Sequence, residues 1–186
     1  MNNPLDVVAI VGSLRKDSYT RRLTEALAKL AGPSMRIEIL PIGELSLYNQ
    51  DDEASPPPPW AQFRARIKRA DAVLFATPEY NRSVPGCLKN AIDVASRPPG
   101  KSVWAGKPAA VISASPGTMG AFGANHHLRQ SLVSLDMPTM QLPEAYIAGS
   151  NKLFEADGEF VNPGTRDFCT KFVRSFESWI RRTAVS

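Results

Sequence analysis

Leu5-Asp6-Val7-Val8-Ala9-Ile10-Val11 runs directly into Gly12-Ser13-Leu14-Arg15-Lys16-Asp17-Ser18-Tyr19-Thr20. A short apolar, β-branched run that stops at Gly and Ser, with an amphipathic segment after it, reads as strand, loop and helix. The loop offers hydroxyls at Ser13, Ser18 and Thr20 and a guanidinium at Arg15. The next helix adds its first N–H groups. A helix start carries about half a positive charge and unpaired donors, so together these groups form an anion cradle.

Outward from this unit the pattern repeats. Leu23, Ala26, Leu27 and Leu30 form an apolar stripe at helical spacing, closed by Gly32-Pro33. Met35 to Leu40 alternates at period two as a second strand. Pro56-Pro57-Pro58-Pro59 predicts an extended polyproline loop, because proline fixes φ and disfavours helix in the residue before it. Trp60 to Arg69 resumes helical spacing, and Ala72 to Ala76 is a strand apolar on both faces, as in a parallel sheet. Thr77 to Ser83 is a loop, and Pro85 opens a helix through Leu88, Ala91, Ile92 and Ala95. Pro108 to Ala114 is the fourth strand. A Gly-rich loop leads to a helix through Leu128, Leu132 and Leu135, and Thr139-Met140-Gln141-Leu142 is the expected fifth strand. Asp157-Gly158 marks a turn, and Asn162-Pro163 caps a last helix striped by Phe168, Phe172, Phe176, Trp179 and Ile180.

Strands alternating with helices in this way predict an α/β doubly wound sandwich over residues 1–186 as a single domain. The fold expected is three-layered and flavodoxin-like, with a five-stranded parallel sheet in the order 2-1-3-4-5 and helices on both faces. Its ligand crevice lies at the carboxyl ends of strands one and three, which sets Gly12–Thr20 beside Thr77–Ser83.

Composition narrows the function classes. The chain has 186 residues, 43% hydrophobic and 22% charged, enough for a real core. No apolar run approaches the ~20 residues of a membrane span, and the first residues lack a signal-peptide pattern, so a cytoplasmic protein without a membrane partner is expected. The net charge of +4 is scattered, with no basic block, which argues against nucleic acid. Cys87 and Cys169 stand in no metal-ligand spacing, and Cys87 reads as a small core residue. His126 and His127 are adjacent, so on a helix they point about 100° apart and cannot share a metal. No metal site is expected. No G-x-S-x-G elbow supports a serine hydrolase.

The cradle itself discriminates among phosphates. A dinucleotide site wants G-x-G-x-x-G and an acid ending strand two, but here only Gly12 is present and strand two ends Leu40-Pro41. A triphosphate loop needs a second Gly followed by Lys, and a receiver domain needs acids where this chain has Gly12-Ser13 and Thr77-Pro78. A terminal monophosphate held by hydroxyls, amides and Arg15 is what remains, with a planar ring on the neighbouring loops.

Gly12-Ser13-Leu14-Arg15-Lys16-Asp17-Ser18, Thr77-Pro78-Glu79-Tyr80-Asn81 with Ser83-Val84-Pro85-Gly86, and Leu88-Lys89-Asn90-Ala91-Ile92-Asp93 together resemble the NADPH-dependent FMN reductase family, closest to its chromate/quinone reductase branch. The resemblance implies FMN as cofactor and NADPH or NADH as donor. Ser13, Arg15, Ser18 and Thr20 would hold the phosphate, with amides from Leu14, Lys16, Asp17 and Tyr19. Pro78, Glu79, Tyr80 and Asn81 would meet the ring edge and ribityl chain, and Ser115 and Gly117 the pyrimidine end. The family often has paired glycines where this chain has Gly120-Ala121.

The activity implied is two-electron, ping-pong reduction of quinones, with chromate or other oxyanions as further acceptors and hydride chemistry carried by the flavin. Arg82, directly after Asn81, is a candidate acceptor contact. The resemblance further implies a homodimer or homotetramer, with His127, Arg129 and Glu144 as interface candidates. The rival reading is a flavodoxin-like electron carrier without its own NAD(P)H turnover.

Overall fold

A computed structural model describes residues 3–183. Five parallel strands, β1 (Leu5–Val11), β2 (Met35–Ile39), β3 (Ala72–Thr77), β4 (Ala109–Ala114) and β5 (Ala145–Ile147), form one sheet in the order β2-β1-β3-β4-β5. This is the expected flavodoxin-like topology. Central strands β1, β3 and β4 are buried on both faces, which is why they read as unbroken apolar runs.

Alternation along β1 divides the core. Val7, Ala9 and Val11 face α1 (Tyr19–Leu30) and α5 (Pro163–Thr183), packing with Leu23, Leu27, Phe172, Phe176 and Ile180. Val8 and Ile10 face the opposite layer, made of α2 (Pro58–Arg69), α3 (Gly86–Ser96) and α4 (Phe122–Ser134). There Trp60, Phe63, Leu88, Trp104, Leu128 and Leu132 fill the space. Sidedness of this kind is the direct result of period-two strands meeting helices with a single apolar stripe.

Two expectations need correction. Pro58 and Pro59 are not extended; they begin α2. Proline suits a first helical turn, where its missing N–H would have had no acceptor, and the Pro57 carbonyl takes the first bond from Trp60 N at 2.9 Å. The fifth strand is Ala145–Ile147 rather than Thr139–Leu142. The earlier segment touches β4 only at its start, where Thr139 bridges Ala109 and Met140 N donates to the Ala109 carbonyl at 2.8 Å. Leu142-Pro143 then interrupts the ladder, because proline has no N–H to give. Cys87 is half-buried at the edge of the core, with its thiol pushed up by burial, and Cys169 is fully buried, its thiol pushed up to about 12.

Asn90 explains why a polar residue sits inside α3. Its Oδ1 accepts Tyr48 N at 2.8 Å, and its Nδ2 donates to the carbonyls of Leu45 and Ser46 at 3.2 and 2.9 Å. One side chain thus pins the long segment between β2 and α2. Among the described residues, no helix is long and apolar enough to cross a membrane.

Candidate active site

The carboxyl ends of β1, β3 and β4 open onto one crevice. Ser13, Arg15, Ser18, Tyr19 and Thr20 line it from the first loop. Pro78, Glu79 and Tyr80 line it from the second, and Ser115 with Pro116 from the third. The enclosed volume is about 120 Å³. Leu14 and Lys16 face an adjoining recess, shared with Ser13, Arg15 and Arg21, above the end of β2. Asp17, Asn81 and Gly117 are exposed on the same three loops without lining either space.

The first loop is built for donors. Ser18 is the N-cap of α1, and its Oγ accepts Arg21 N at 3.2 Å. Ser13 Oγ accepts Arg15 N at 3.3 Å. Each hydroxyl therefore uses its oxygen on the backbone and keeps its O–H proton free to donate. Tyr19 and Thr20 open α1, so their N–H groups have no intrahelical acceptor. No acidic residue lies in that first turn to compete for an incoming anion. The Arg15 guanidinium lies over the Tyr19 ring, 5.5 Å from its centre. Donor chemistry of this kind fits a phosphate monoester; Asp17 is exposed on the loop without lining the crevice, and the carboxylate that does line it, on Glu79, has another task.

Glu79 caps a helix from outside. Its Oε2 accepts Ala124 N at 3.0 Å, in the first turn of α4, while Oε1 takes Arg82 Nη1 at 3.1 Å. The residue that should cap α4, Ala121, has no side-chain oxygen and sits at φ 62°. Gly123 leaves room for the arrangement, since a Cβ there would stand 2.9 Å from Glu79 Oε2. The side chain of Glu79 is thus a positioning group that locks the second loop to the third. Removing it in Glu79→Ala is expected to cost about 1–2 kcal/mol, lowering the midpoint of thermal unfolding by roughly 2–8 °C in calorimetry.

Tyr80 and Ser83 exchange two backbone hydrogen bonds at 3.0 Å around a tight turn. Both central residues, Asn81 (φ 50°) and Arg82 (φ 64°), are left-handed. Asn adopts that conformation readily and Arg does not, so the turn holds Arg82 in place at a conformational cost. The Arg82 side chain, 75% exposed, lies against Glu79 and 3.6 Å from the Met119 sulfur.

Behind the third loop runs a buried polar chain. Ser113 Oγ donates to the Gly120 carbonyl at 2.7 Å and receives Asn125 Nδ2 at 3.1 Å. Asn125 Oδ1 in turn accepts Arg129 Nε at 3.0 Å, and Arg129 Nη1 reaches the Met140 carbonyl at 2.9 Å. Burial lowers the affinity of Arg129 for its proton. Tyr146 is pushed up to about 12 by burial and the nearby Glu144 carboxylate, and its hydroxyl meets His126 Nε2 at 2.9 Å. His127 Nδ1 pairs with Ser83 Oγ at 2.9 Å.

Three lining residues escaped the sequence reading: Ala114 and Pro116, which flank the expected Ser115, and Ser150. Ser150, after β5, faces the same crevice. Its backbone N donates to the Ser115 carbonyl at 3.0 Å. No local pattern marks it; only the rule that loops at strand carboxyl ends share the ligand crevice points there.

Comparison with known proteins matches this geometry to a family. The model of the "NADPH-dependent FMN reductase" family matches residues 5–152. A quinone reductase of Pseudomonas putida is 58% identical over 182 residues, covering 97% of each chain. A 2-hydroxy-1,4-benzoquinone reductase of a Burkholderia species is 43% identical, covering 95% of this chain and 97% of its own. Among solved structures, FerB of Paracoccus denitrificans, a flavoenzyme NAD(P)H:(acceptor) oxidoreductase, superposes with a TM-score of 0.92 at 44% identity, over 97% of this chain and 100% of that one. Fold, site and likeness together place the chain in the NADPH-dependent FMN reductase family, within its quinone/chromate reductase branch.

Proposed function

We propose that the protein is an FMN-dependent NAD(P)H:quinone oxidoreductase that works by ping-pong exchange, with its flavin phosphate in the Ser13–Thr20 cradle. The supporting observation is the convergence of three loops whose free groups are nearly all donors. The names borne by the Pseudomonas and Burkholderia relatives support the acceptor class. Bound FMN supplies a ring that takes a hydride from a nicotinamide and hands two electrons to an acceptor.

The residues bind and orient. Ser13, Ser18 and Thr20 present hydroxyls to the phosphate, with amides from Leu14, Lys16, Asp17 and Tyr19 and charge from Arg15. Backbone of Pro78, Glu79, Tyr80 and Asn81 would meet one ring edge, and Ser115 and Gly117 the pyrimidine end. Ser115 N is spent on the Ile147 carbonyl at 3.0 Å and Pro116 has no N–H, so the Gly117 N–H is the donor at that end that would favour the negative charge reduction brings. Tyr80, Met119 and Phe122, each about half exposed, form an apolar rim against which a flat quinone or nicotinamide stacks. A steady-state assay with NADPH and a benzoquinone tests the reading. Parallel double-reciprocal lines are expected, and absence of turnover with both NADPH and NADH contradicts it.

Arg82 adds selectivity at the rim. Its cation is exposed and only partly offset by Glu79. Arg82→Ala is expected to lower kcat/KM for chromate about three- to tenfold, on the scale of one exposed charge contact, while a neutral quinone changes less than twofold. Equal effects on both acceptors, or none, contradict the assignment. In the proposed homodimer or homotetramer, exposed His127 and Glu144 contribute to the boundary. Arg129, tied to Asn125 and the Met140 carbonyl, shapes α4 beneath it.

A further inference from the structure

Ser150 is 2% exposed, and its Oγ is buried without any hydrogen-bond partner among the described residues. The other serines of the crevice are engaged: Ser13 and Ser18 by backbone N–H groups, Ser115 through the Gly117 carbonyl at 3.3 Å. A buried hydroxyl left unpaired is a standing cost to the fold, and such groups in native structures call for a reason. Nothing in the backbone forces the residue there, since the short 3-10 turn over Ser150–Lys152 would accept alanine at its first position.

The turn packs against α1, and Ser150 lines the crevice with Ser18 and Thr20, at the end where α1 presents its free N–H groups. We infer that Ser150 Oγ is a further donor of the anion cradle, contributing its O–H to a phosphate monoester held by Ser13, Arg15, Ser18 and Thr20. This rests on the reading of the crevice as the flavin phosphate site. The hydroxyl is kept dry and unpaired by the protein so that the ligand completes it. The backbone bond from Ser150 N to the Ser115 carbonyl also links this donor to the loop assigned to the flavin ring.

The test compares wild type, Ser150→Ala and Ser150→Cys for binding of FMN and of riboflavin, which lacks the phosphate, to flavin-stripped protein. Ser150→Ala is expected to raise the FMN dissociation constant about three- to tenfold, the scale of one hydrogen bond, and to leave riboflavin unchanged. Ser150→Cys, similar in size but a weak donor, should follow it. The thermal midpoint of the stripped Ser150→Ala protein should equal or exceed that of wild type, because the variant loses only an unpaired group. Phosphorus NMR of bound FMN should shift between wild type and variant. Unchanged FMN affinity, an equal loss for riboflavin, or a lowered midpoint in the stripped protein overturns the inference. Arg15→Ala separates the two levels of the argument. If it weakens FMN binding while Ser150→Ala does not, only the Ser150 assignment fails; if neither does, the phosphate site itself is misplaced.

Discussion

Arg15→Ala is expected to lose its FMN on desalting, with a dissociation constant raised about ten- to a hundredfold or more. Each charge-assisted hydrogen bond to a phosphate contributes on the order of 1.5–3 kcal/mol, and each ~1.4 kcal/mol is a factor of ten. Serine hydroxyls and helix amides remain in the variant, so binding weakens rather than vanishes. Arg15 is exposed and its guanidinium makes no ion pair among the described residues. Its removal should therefore leave the thermal midpoint of the stripped protein within about 2 °C of wild type, as for most surface substitutions. Arg15→Lys keeps the charge without the planar fork and should fall between. Wild-type flavin content in Arg15→Ala, after the same desalting, contradicts the assignment of the phosphate.

A second large effect is structural, with opposite signs expected at adjacent residues. Gly120 holds φ 58°, and a Cβ there would lie 2.5 Å from the Tyr146 carbonyl carbon and 2.8 Å from Ile147 N. Both are backbone atoms of β5, which cannot step aside without leaving the sheet. Left-handed strain of about 1–2 kcal/mol adds to overpacking of about 1–3 kcal/mol, so Gly120→Ala should cost roughly 3 kcal/mol or more. For a chain of this size that is a fall of about 6–12 °C in the thermal midpoint. The Gly120 carbonyl, which accepts Ser113 Oγ at 2.7 Å, is pushed out of line, and the Ser115 and Ser150 loops move with β5, so flavin affinity should fall as well. At the next position Ala121 holds φ 62° with a Cβ already present. Ala121→Gly removes that strain at the expense of backbone entropy and should stabilise by about 0.5–1 kcal/mol. Calorimetry of the pair checks both signs; equal shifts in one direction contradict the argument.

Strands β1 to β4 and all five helices were legible because each central strand is apolar on both faces and each helix carries one stripe. β5 was not. Three residues, Ala145-Tyr146-Ile147, give too short a period to count, while Thr139-Met140 a few residues earlier carries a clearer β signal. Only the proline that cuts the ladder decides between them. The proline run misled for a related reason, since the same fixed φ serves both an extended loop and a first helical turn.

For the site, the loop residues that bear hydroxyls and charge were readable from their place after strands one and three. What a sequence does not carry is how a side chain spends its bonds. Glu79 sits by position in the crevice loop after β3, yet its carboxylate serves α4 through Ala124 N. Asn125 and Ser113 looked like ordinary helix and strand residues, but they support the third loop from within. Ser150 is separated from Ser18 by most of the chain, and only the closed sheet brings them together.

The central claim is that bound flavin is both reduced by NAD(P)H and reoxidised by a quinone on this protein. Anaerobic stopped-flow mixing of the FMN-loaded enzyme with NADPH, and separately with NADH, tests it most directly. The flavin absorbance should bleach at a rate no slower than turnover and return on mixing with a stoichiometric benzoquinone. Flavin that stays oxidised with both nicotinamides, as in a carrier reduced only by a partner protein, would contradict the account.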